Sequence, residues 1–451
     1  MARPRHGRRC ERRLDHLEDI TVDVTPSRPA AAAAAFTGDH YTLETCFNEG
    51  KDSGYQYHPF GYFKYRPYSA CFGKYVGWGE WDIDLRSGLP IKPDPDDAIL
   101  VHSTMVMNTF LGSADGNSVV NDTPDGPHRP HQIAMYTKLN DIRVYDDGRL
   151  VTYKDDEVLR LEPDIKAGRR TDCAPVGDDD VIRRDSLRDW RAQGYNAFLF
   201  QTSMSGLVGS CTIRPSLYLE NATFGWDADM PLWSLLEIPP LGGKKDIPPS
   251  ARCDKYTMGK RNAKYTNACV FVAANRVYTM YLDDPRRGEV AAHIRKAFTQ
   301  PDDTEPKYDD AGKRLNKIIP GNADAALIKI SKTTKAPDKA SWYQKNIYRK
   351  NKVCATLSGT GDCDEFPFAS TKQGAGYGYL QNGKWIPYFN FSIQRVSESH
   401  NCSAGGDLGV FYARYRVSSN QKFWVSIQDR MPTTLAQSPN RAGTQSDCSW
   451  P

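Results

Sequence analysis

The sequence predicts an α+β protein in which an antiparallel, sandwich-like β-rich domain precedes a smaller domain of strands, a hairpin and a helix. Three observations support this fold class. Short strand patterns with partial alternation recur from about His40 to Pro240. Apolar residues recur at helical spacing only later, at Val290–Phe298 and Leu408–Tyr415. A chain of 451 residues is also too long for one ordinary core, so we expect more than one domain.

The N-terminal residues 1–39 are predicted to be disordered. Met1–Arg13 is strongly basic, and the alanine-rich stretch that follows is too short and weakly apolar for the core of a secretion signal. No segment approaches the roughly 20 apolar residues of a membrane helix, so no membrane association is expected. We place the β-rich domain, of unknown function, at residues 40–240.

Turn residues separate the expected strands of this domain. Asp147-Gly148 favours a tight hairpin between Ile142–Tyr145 and Leu150–Tyr153, because Asp-Gly readily adopts the positive φ angles of such a turn. The other candidate strands are Tyr75–Asp84, Val101–Phe110, Asn196–Gly209 and Thr212–Leu219. Gly242–Ile247, with flanking prolines, is predicted to be a linker.

A connecting region, residues 250–335, is expected to hold a strand pair and a helix. Cys253–Tyr281 has the pattern of two strands closed by a disulfide, and Arg287–Phe298 has helical spacing. His293 lies on this helix beside its apolar face, where we interpret it as a partly buried structural histidine. The last domain is placed at residues 340–451.

The last domain has a strand, a hairpin, a helix and a final strand in its predicted order. Gln381-Asn382-Gly383 favours a turn before a long strand at Lys384–Val396, in which Pro387 marks a kink or a sheet edge. Ser403 is expected to cap a helix over Ala404–Arg416 that buries one apolar stripe. The flanking strands are predicted at Cys363–Ala369 and Lys422–Gln428.

Eleven cysteines are scattered along the chain without a Cys-x-x-Cys pair. This spacing disfavours a structural zinc site and favours disulfides in an oxidising compartment. The ten cysteines beyond His40 could form five disulfides, which would leave Cys10 without a partner. Connectivity cannot be fixed from sequence; the pairs suggested by position are Cys46–Cys71, Cys253–Cys269, Cys354–Cys363 and Cys402–Cys448.

Two segments of the last domain carry candidate chemistry. In Cys363–Thr371 (CDEFPFAST), Asp364 and Glu365 stand among apolar residues, where carboxylates tend to be paired, hydrogen-bonded or metal-bound. The second segment, Asn401–Tyr412 (NCSAGGDLGVFY), follows a little under forty residues later and leads into the predicted helix.

These two segments resemble the Cys-Asp-Glu-Tyr/Phe-Pro core and the Asn-x-x-x-Gly helix of the NucA/NucB family of secreted, sequence-nonspecific deoxyribonucleases. The resemblance covers roughly the last 110 residues. The middle region also resembles segments that precede this domain in longer actinobacterial members. The family resemblance implies a ββα-metal fold, in which a helix crosses a hairpin and one ion sits between them.

The resemblance also implies residue roles. Asp364 matches the catalytic Asp, expected to be the general base, and Glu365 matches the adjacent acid/base or orienting carboxylate. Asn401 matches a metal ligand or its orienter, and which carboxylate contacts the ion is left open. Asp364, Glu365 and Asn401 offer the oxygen ligands of a hard divalent ion, Mg²⁺ with Mn²⁺ as the alternative. The alternative is that these residues have only structural roles: Asp364 and Glu365 as a capping and salt-bridging pair, and Asn401 as a hydrogen-bonding loop residue.

Two positions depart from the family pattern. His400 stands where members often carry an acidic residue, and it is considered as an assisting base or ligand, or as an exposed loop residue. Cys402 replaces a common arginine, so one phosphate-binding cation would be missing. Arg395, Arg414 and Arg416 are the candidate replacements for contacts with DNA.

Local charge is consistent with a nucleic-acid partner, although the net charge of the whole chain is only +4. From Ser341 to the end, twelve Lys and Arg oppose seven Asp and Glu. Several of the cations, interleaved with aromatic residues, could contact a phosphate backbone, or could form an ordinary solvated face. This group, called here the basic cluster, comprises Lys345, Arg349, Lys350 and Lys352.

The expected function is therefore a secreted, metal-dependent endodeoxyribonuclease with DNA as its substrate. One alternative is a β-rich extracellular binding or adhesion protein that carries a degenerate nuclease fold. Another is a polymorphic-toxin nuclease, for which an inhibitor or immunity protein would be a partner. The sequence gives no indication of the oligomeric state.

Overall fold

A computed structural model describes residues 40–432 apart from twelve internal segments, and the chain divides into two compact units. The segments outside the description are 53–61, 80–82, 85–88, 91–97, 114–127, 147–148, 152–157, 165–171, 177–181, 204–205, 221–248 and 259–264. The predicted linker, Gly242–Ile247, and the predicted disordered N-terminus, residues 1–39, both lie outside the described residues. The unit that holds both nuclease-like segments begins at Arg276, inside the expected connecting region.

The N-terminal unit is strand-rich, as predicted. Its described helices are α1 (Leu43–Asp52) and α2 (Leu187–Ala192). Its described strands are β1 (Tyr62–Arg66), β2 (Ser69–Gly79), β3 (Ile83–Asp84), β4 (Leu89–Pro90), β5 (Ala98–Thr109), β6 (Leu111–Ser113), β7 (Gln132–Asp146), β8 (Arg149–Val151), β9 (Val158–Asp164), β10 (Cys173–Pro175), β11 (Arg183–Ser186), β12 (Asn196–Thr202), β13 (Val208–Thr212), β14 (Arg214–Glu220), β15 (Ser250–Met258) and β16 (Tyr265–Phe271).

These strands form antiparallel sheets. The largest has the order β1-β2-β5-β7-β12-β10, with β8 pairing to β7. In the predicted hairpin, Asp146 pairs with Arg149, which confirms the pairing of the two strands, while Asp147 and Gly148 lie outside the described residues. Three-stranded (β11-β9-β14), four-stranded (β13-β15-β16-β6) and two-stranded (β3-β4) sheets complete the described part of the unit.

The core of this unit takes residues from the seven-stranded sheet, the four-stranded sheet and α2. Phe72, Met105 and Trp190 are among its buried members. Disulfides Cys46–Cys71 and Cys253–Cys269 confirm two predicted pairs. Cys173–Cys211 was not predicted, because its partners are 38 residues apart and only the sheet pairing brings them together.

The C-terminal unit mixes helices with short strands. Its described strands are β17 (Val277–Tyr281), β18 (Leu327–Ile328), β19 (Asp362–Phe366), β20 (Gly378–Gln381), β21 (Lys384–Pro387), β22 (Ser392–Val396) and β23 (Lys422–Gln428). Its described helices are α3 (Gly288–Thr299), a 3₁₀ turn (Pro301–Asp303), α4 (Trp342–Cys354) and α5 (Glu398–Arg414). The predictions of α3 and of β23 are confirmed.

Two small sheets position the nuclease-like segments. β19 pairs antiparallel with β22, so that Asp364 is opposite Gln394. β17 pairs parallel with β23, which also pairs with β18. The predicted Asn-Gly turn is confirmed: Asn382 and Gly383 both have positive φ between β20 and β21.

The structure corrects two element boundaries. Lys384–Val396 is not one strand, because Pro387 lacks an N–H for the ladder and Phe389 adopts a positive φ of 59°. Helix α5 begins at Glu398 rather than after Ser403, so Asn401 lies in its first turns instead of before it. Its start is fixed by Glu289 of α3, whose carboxylate accepts hydrogen bonds from the backbone N–H and hydroxyl of Ser397.

Apolar packing on the two faces of the β19–β22 pair holds this unit together. One core joins Phe366 to the buried faces of α3 and α5, and it includes the predicted stripe members Leu408, Phe411 and Tyr412. A second core joins Cys363 and Ile393 to the end of α4. Helix α4 was not predicted, because its sequence is rich in basic residues and has no clear apolar stripe.

The predicted Cys354–Cys363 disulfide is also confirmed and ties the end of α4 to β19. Cys402 is disulfide-bonded as well, and the predicted Cys402–Cys448 pair reaches outside the described residues. Within the described part of the chain, no helix combines the length and the apolar character needed to cross a membrane.

Candidate active site

Asp364 and Glu365 are neighbours in sequence whose side chains have different surroundings. Successive side chains of a strand point to opposite faces. Asp364 shares its face with Phe366, which packs against α3 and α5, whereas Glu365 shares its face with Cys363, which packs beside α4. Glu365 Oε2 accordingly lies 3.7 Å from Lys350 Nζ of α4.

One oxygen of Asp364 is held from within the core. Oδ2 lies 2.6 Å from Nδ1 of His293 on α3, and Nε2 of that ring lies 2.7 Å from the hydroxyl of Ser392. The His293 side chain is fully buried, while that of Asp364 keeps 8% of its exposure. Oδ1 of Asp364 accepts no hydrogen bond from any described residue. Within the described part of the chain, Asp364 is therefore held through Oδ2.

Asn401 reaches the same face of β19. Its Nδ2 donates to Oδ2 of Asp362 over 3.3 Å. Asp362 and Asp364 are two positions apart on the strand, so they share a face and their Cα atoms are about 7 Å apart. The amide oxygen of Asn401 accepts no hydrogen bond within the described part of the chain. The two predicted motifs thus meet through a carboxylate, Asp362, that sequence reasoning did not single out.

Glu365 is an unusually basic carboxylate. Burial raises its pKa to about 7, and the neighbouring charge of Asp364 acts in the same direction. The ammonium of Lys350 and a hydrogen bond from the Ala369 backbone N–H to Oε1, at 3.3 Å, favour the ionised form and partly offset the rise in pKa. Near neutral pH, Glu365 can therefore hold or release a proton.

His400 lies against the first turn of α3. Its Nδ1 accepts a hydrogen bond from the backbone N–H of Glu289 over 3.2 Å and lies 3.9 Å from a carboxylate oxygen of the same residue. No hydrogen bond joins the described side chains of His400 and Asp364. The contact made by His400 is thus one between α3 and α5.

The three arginines predicted to contact DNA are engaged within the protein. Arg395 donates to the backbone carbonyls of Cys354, Leu357 and Gly361. The guanidinium of Arg414 lies over the ring of Tyr415, and Arg416 is completely buried. A buried guanidinium cannot reach a phosphate outside, so the prediction for Arg416 does not fit this structure.

The basic cluster is largely compensated by acidic side chains. Lys345 pairs with Asp338 at 2.5 Å, and Lys350 lies near Glu365. Asp310 pairs with both Arg349 and Lys352, at 2.7 and 2.8 Å. The excess of cations counted in the sequence therefore does not form an unpaired patch along this helix.

The contacts of His293 with Asp364 and of Asp362 with Asn401 were not predicted from the sequence. The sequence did contain weak signals for both: a histidine beside the apolar face of a predicted helix, and an Asp-x-Asp alternation at the start of a strand. Neither pattern indicates what the side chain meets, because the partners come from segments 39 and 71 residues away.

Comparison with known proteins agrees with the motifs. Residues 326–426 match the family model described as deoxyribonuclease NucA/NucB, and this segment includes α4, β19, β22 and α5. No curated protein and no solved structure matches the chain. The C-terminal region therefore carries a NucA/NucB deoxyribonuclease domain, the family that Cys363–Thr371 and Asn401–Tyr412 predicted.

Proposed function

We propose that this protein is an exported, metal-dependent endodeoxyribonuclease that hydrolyses DNA without strong sequence preference. The domain match supports DNA as the substrate. The observation that carries the site is the contact of Asn401 with Asp362, which joins the helix motif to the face of β19 that presents Asp364.

Asp364 is proposed as the general base. Its Oδ1 would accept a proton from water as the water oxygen attacks phosphorus, the bond from phosphorus to the leaving oxygen breaks, and the leaving alkoxide takes a proton from solvent. Such a base must keep a fixed orientation, and Oδ2 is already held by the buried ring of His293. The remaining oxygen has no competing hydrogen bond from a described residue.

The oxygen atoms on this face suit a hard divalent ion. Mg²⁺ is usually held by one or two carboxylates, waters and substrate phosphate rather than by a complete protein cage. Among the described residues, no three His, Cys, Asp or Glu side chains group as a metal site. The amide oxygen of Asn401 and the carboxylate of Asp362 would hold the ion. When bound, Mg²⁺ or Mn²⁺ would neutralise charge on the phosphate.

Glu365 is proposed in the orienting role rather than as the ligand. Its carboxylate faces α4, and it receives the Ala369 N–H across the turn that follows β19. This contact fixes the Phe366–Ala369 segment next to the base.

Export is supported by the cysteines. Four disulfides join described residues, and Cys402 is also bonded, a pattern of oxidising compartments. The strand-rich N-terminal unit would then be a targeting, binding or inhibitory module.

The test is plasmid digestion by the full chain with Mg²⁺ or Mn²⁺, and with EDTA as the metal-free arm. We expect cleavage that EDTA abolishes. Asp364→Asn should reduce the rate by roughly 10²–10⁴-fold, the contribution of a positioned general base, with an unchanged circular dichroism spectrum. Asp338→Asn, which removes a carboxylate that pairs with Lys345, is the matched control and should retain activity.

Absence of cleavage with every metal would reject the proposal and favour a binding protein with a degenerate nuclease fold. Near-normal cleavage by Asp364→Asn would remove Asp364 from the role of base.

A further inference from the structure

We propose that His293 is a positioning residue of the nuclease site: it holds Oδ2 of Asp364 so that Oδ1 alone faces the substrate. The inference rests on the proposed function and adds a residue from α3, a helix that lies outside the segment 326–426 that matches the family.

The hydrogen bonds define which nitrogen does the holding. An ionised carboxylate can only accept hydrogen bonds, so the proton shared at 2.6 Å belongs to Nδ1 of His293. Ser392 of β22, which is itself buried, contacts Nε2 at 2.7 Å and fixes the plane of the ring. The ring is thus held at both nitrogens and has one orientation.

The same contacts exclude His293 as the base. Both ring nitrogens are occupied, and the side chain has no exposure to solvent or substrate. The ring can act on the reaction only through Asp364. This arrangement corresponds to the general rule that a reacting or ligating side chain is oriented by a second residue behind it.

Helix α3 is anchored firmly enough to serve as this support. Arg287 at its start forms ion pairs with Asp284 and with Asp407 of α5. Glu289 accepts two hydrogen bonds from Ser397 at the start of α5. At the other end, Arg295 donates to the carbonyl of Ile427 on β23 over 3.2 Å. The helix that carries the Nδ1 donor is therefore held against α5 and β23.

The decisive comparison is between two substitutions of His293 in the full chain. Asparagine places its amide Nδ2 close to where Nδ1 of histidine lies, and it keeps the donor to Asp364 while losing the contact with Ser392. Leucine removes the donor. For plasmid cleavage with Mg²⁺ we expect His293→Leu to lower kcat by about 10–100-fold, with KM for DNA within about twofold of wild type. His293→Asn should recover most of that kcat.

Equal loss of kcat in the two variants would overturn the proposal, as would a change confined to KM. Full activity of His293→Leu would overturn it too. If the leucine variant does not fold, the asparagine variant decides: kcat near wild type supports the donor role, and a loss as large as that of Asp364→Asn rejects it.

A second measurement does not depend on activity. In the full chain labelled with ¹⁵N-histidine, NMR should show a ring proton on Nδ1 of His293 that exchanges slowly with water, and Asp364→Ala should make its exchange fast. A His293 ring without a protected Nδ1 proton would reject the positioning contact. If the wild-type chain fails to cleave DNA while this proton is observed, the proposed function fails and the contact stands.

Discussion

Removing the Cys354–Cys363 disulfide should loosen the strand that carries Asp364. Cys363 immediately precedes Asp364 on β19, and Cys354 is the last residue of α4. The bridge therefore fixes the edge of the site to the helix that also carries Lys350. The perturbation is the double substitution Cys354→Ala and Cys363→Ala in the full chain.

The size of the effect follows from the short loop that the bridge closes. With a sequence separation of 9, the chain-entropy relation gives about 2.6 kcal/mol of stabilisation at room temperature. Because each 1.4 kcal/mol is a factor of ten, opening of this region should become roughly 100-fold more favourable.

Hydrogen exchange followed by mass spectrometry measures this opening locally, so the other unit need not unfold. Peptides that cover residues 342–366 should exchange up to about 100-fold faster in the variant. Plasmid cleavage should fall only by the fraction of molecules in the open state, in which the orientation of Asp364 is lost. The matched control is Cys173→Ala with Cys211→Ala, a bridge of the N-terminal unit, which should leave these peptides unchanged.

Unchanged exchange of residues 362–366 in the variant would refute the reasoning, since β19 would then be held without the bridge. Equal acceleration by the control pair would also refute it, because the effect would not be local.

Two further predictions concern single side chains. Raising the pH from about 4.5 to about 7 should lower the free energy of unfolding by up to about 3 kcal/mol through Glu365. Its pKa is about 7 in the folded protein and 4.5 in the unfolded chain, so its stabilising contribution is complete below pH 4.5 and is lost as the pH rises to about 7. Glu365→Gln should remove this pH dependence from urea unfolding curves, and a variant with the wild-type dependence would contradict the assignment. Arg395→Met should speed hydrogen exchange in residues 354–361, because three carbonyls lose their donor, while the slope of DNA affinity against salt stays the same. Arg430→Met, at an exposed arginine, is the control; a slope reduced by about 1 in Arg395→Met would mean a phosphate contact instead.

Local patterns in the sequence predicted many elements of this fold. The Asp-Gly and Asn-Gly turns have backbone preferences that few other pairs satisfy, so both hairpins could be predicted. The buried stripe of α5 and the alternation of β23 also depend on spacing along one element. Three of the four disulfides joining described residues link cysteines no more than 25 residues apart, which made them plausible pairs.

Elements whose boundaries depend on distant partners could not be predicted. Helix α5 contains Gly405, Gly406 and Gly409, which disfavour a helix, and its start is set by Glu289 from another helix. The unit boundary at Arg276 has the same origin, because β17 pairs with β23 from the far end of the domain.

Some features of the candidate site were likewise predictable from the sequence, and others depend on the folded structure. The sequence by itself indicated the family that residues 326–426 match and the candidate residues Asp364, Glu365 and Asn401, because motif identity and spacing are local properties. Only the tertiary structure decided that Asp364 and Glu365 face opposite sides of β19, that Asp362 meets Asn401, and that His293 supports Asp364. Hydrogen bonds act over about 3 Å in space. The separation of two residues along the chain therefore does not indicate whether they form such a hydrogen bond in the folded protein.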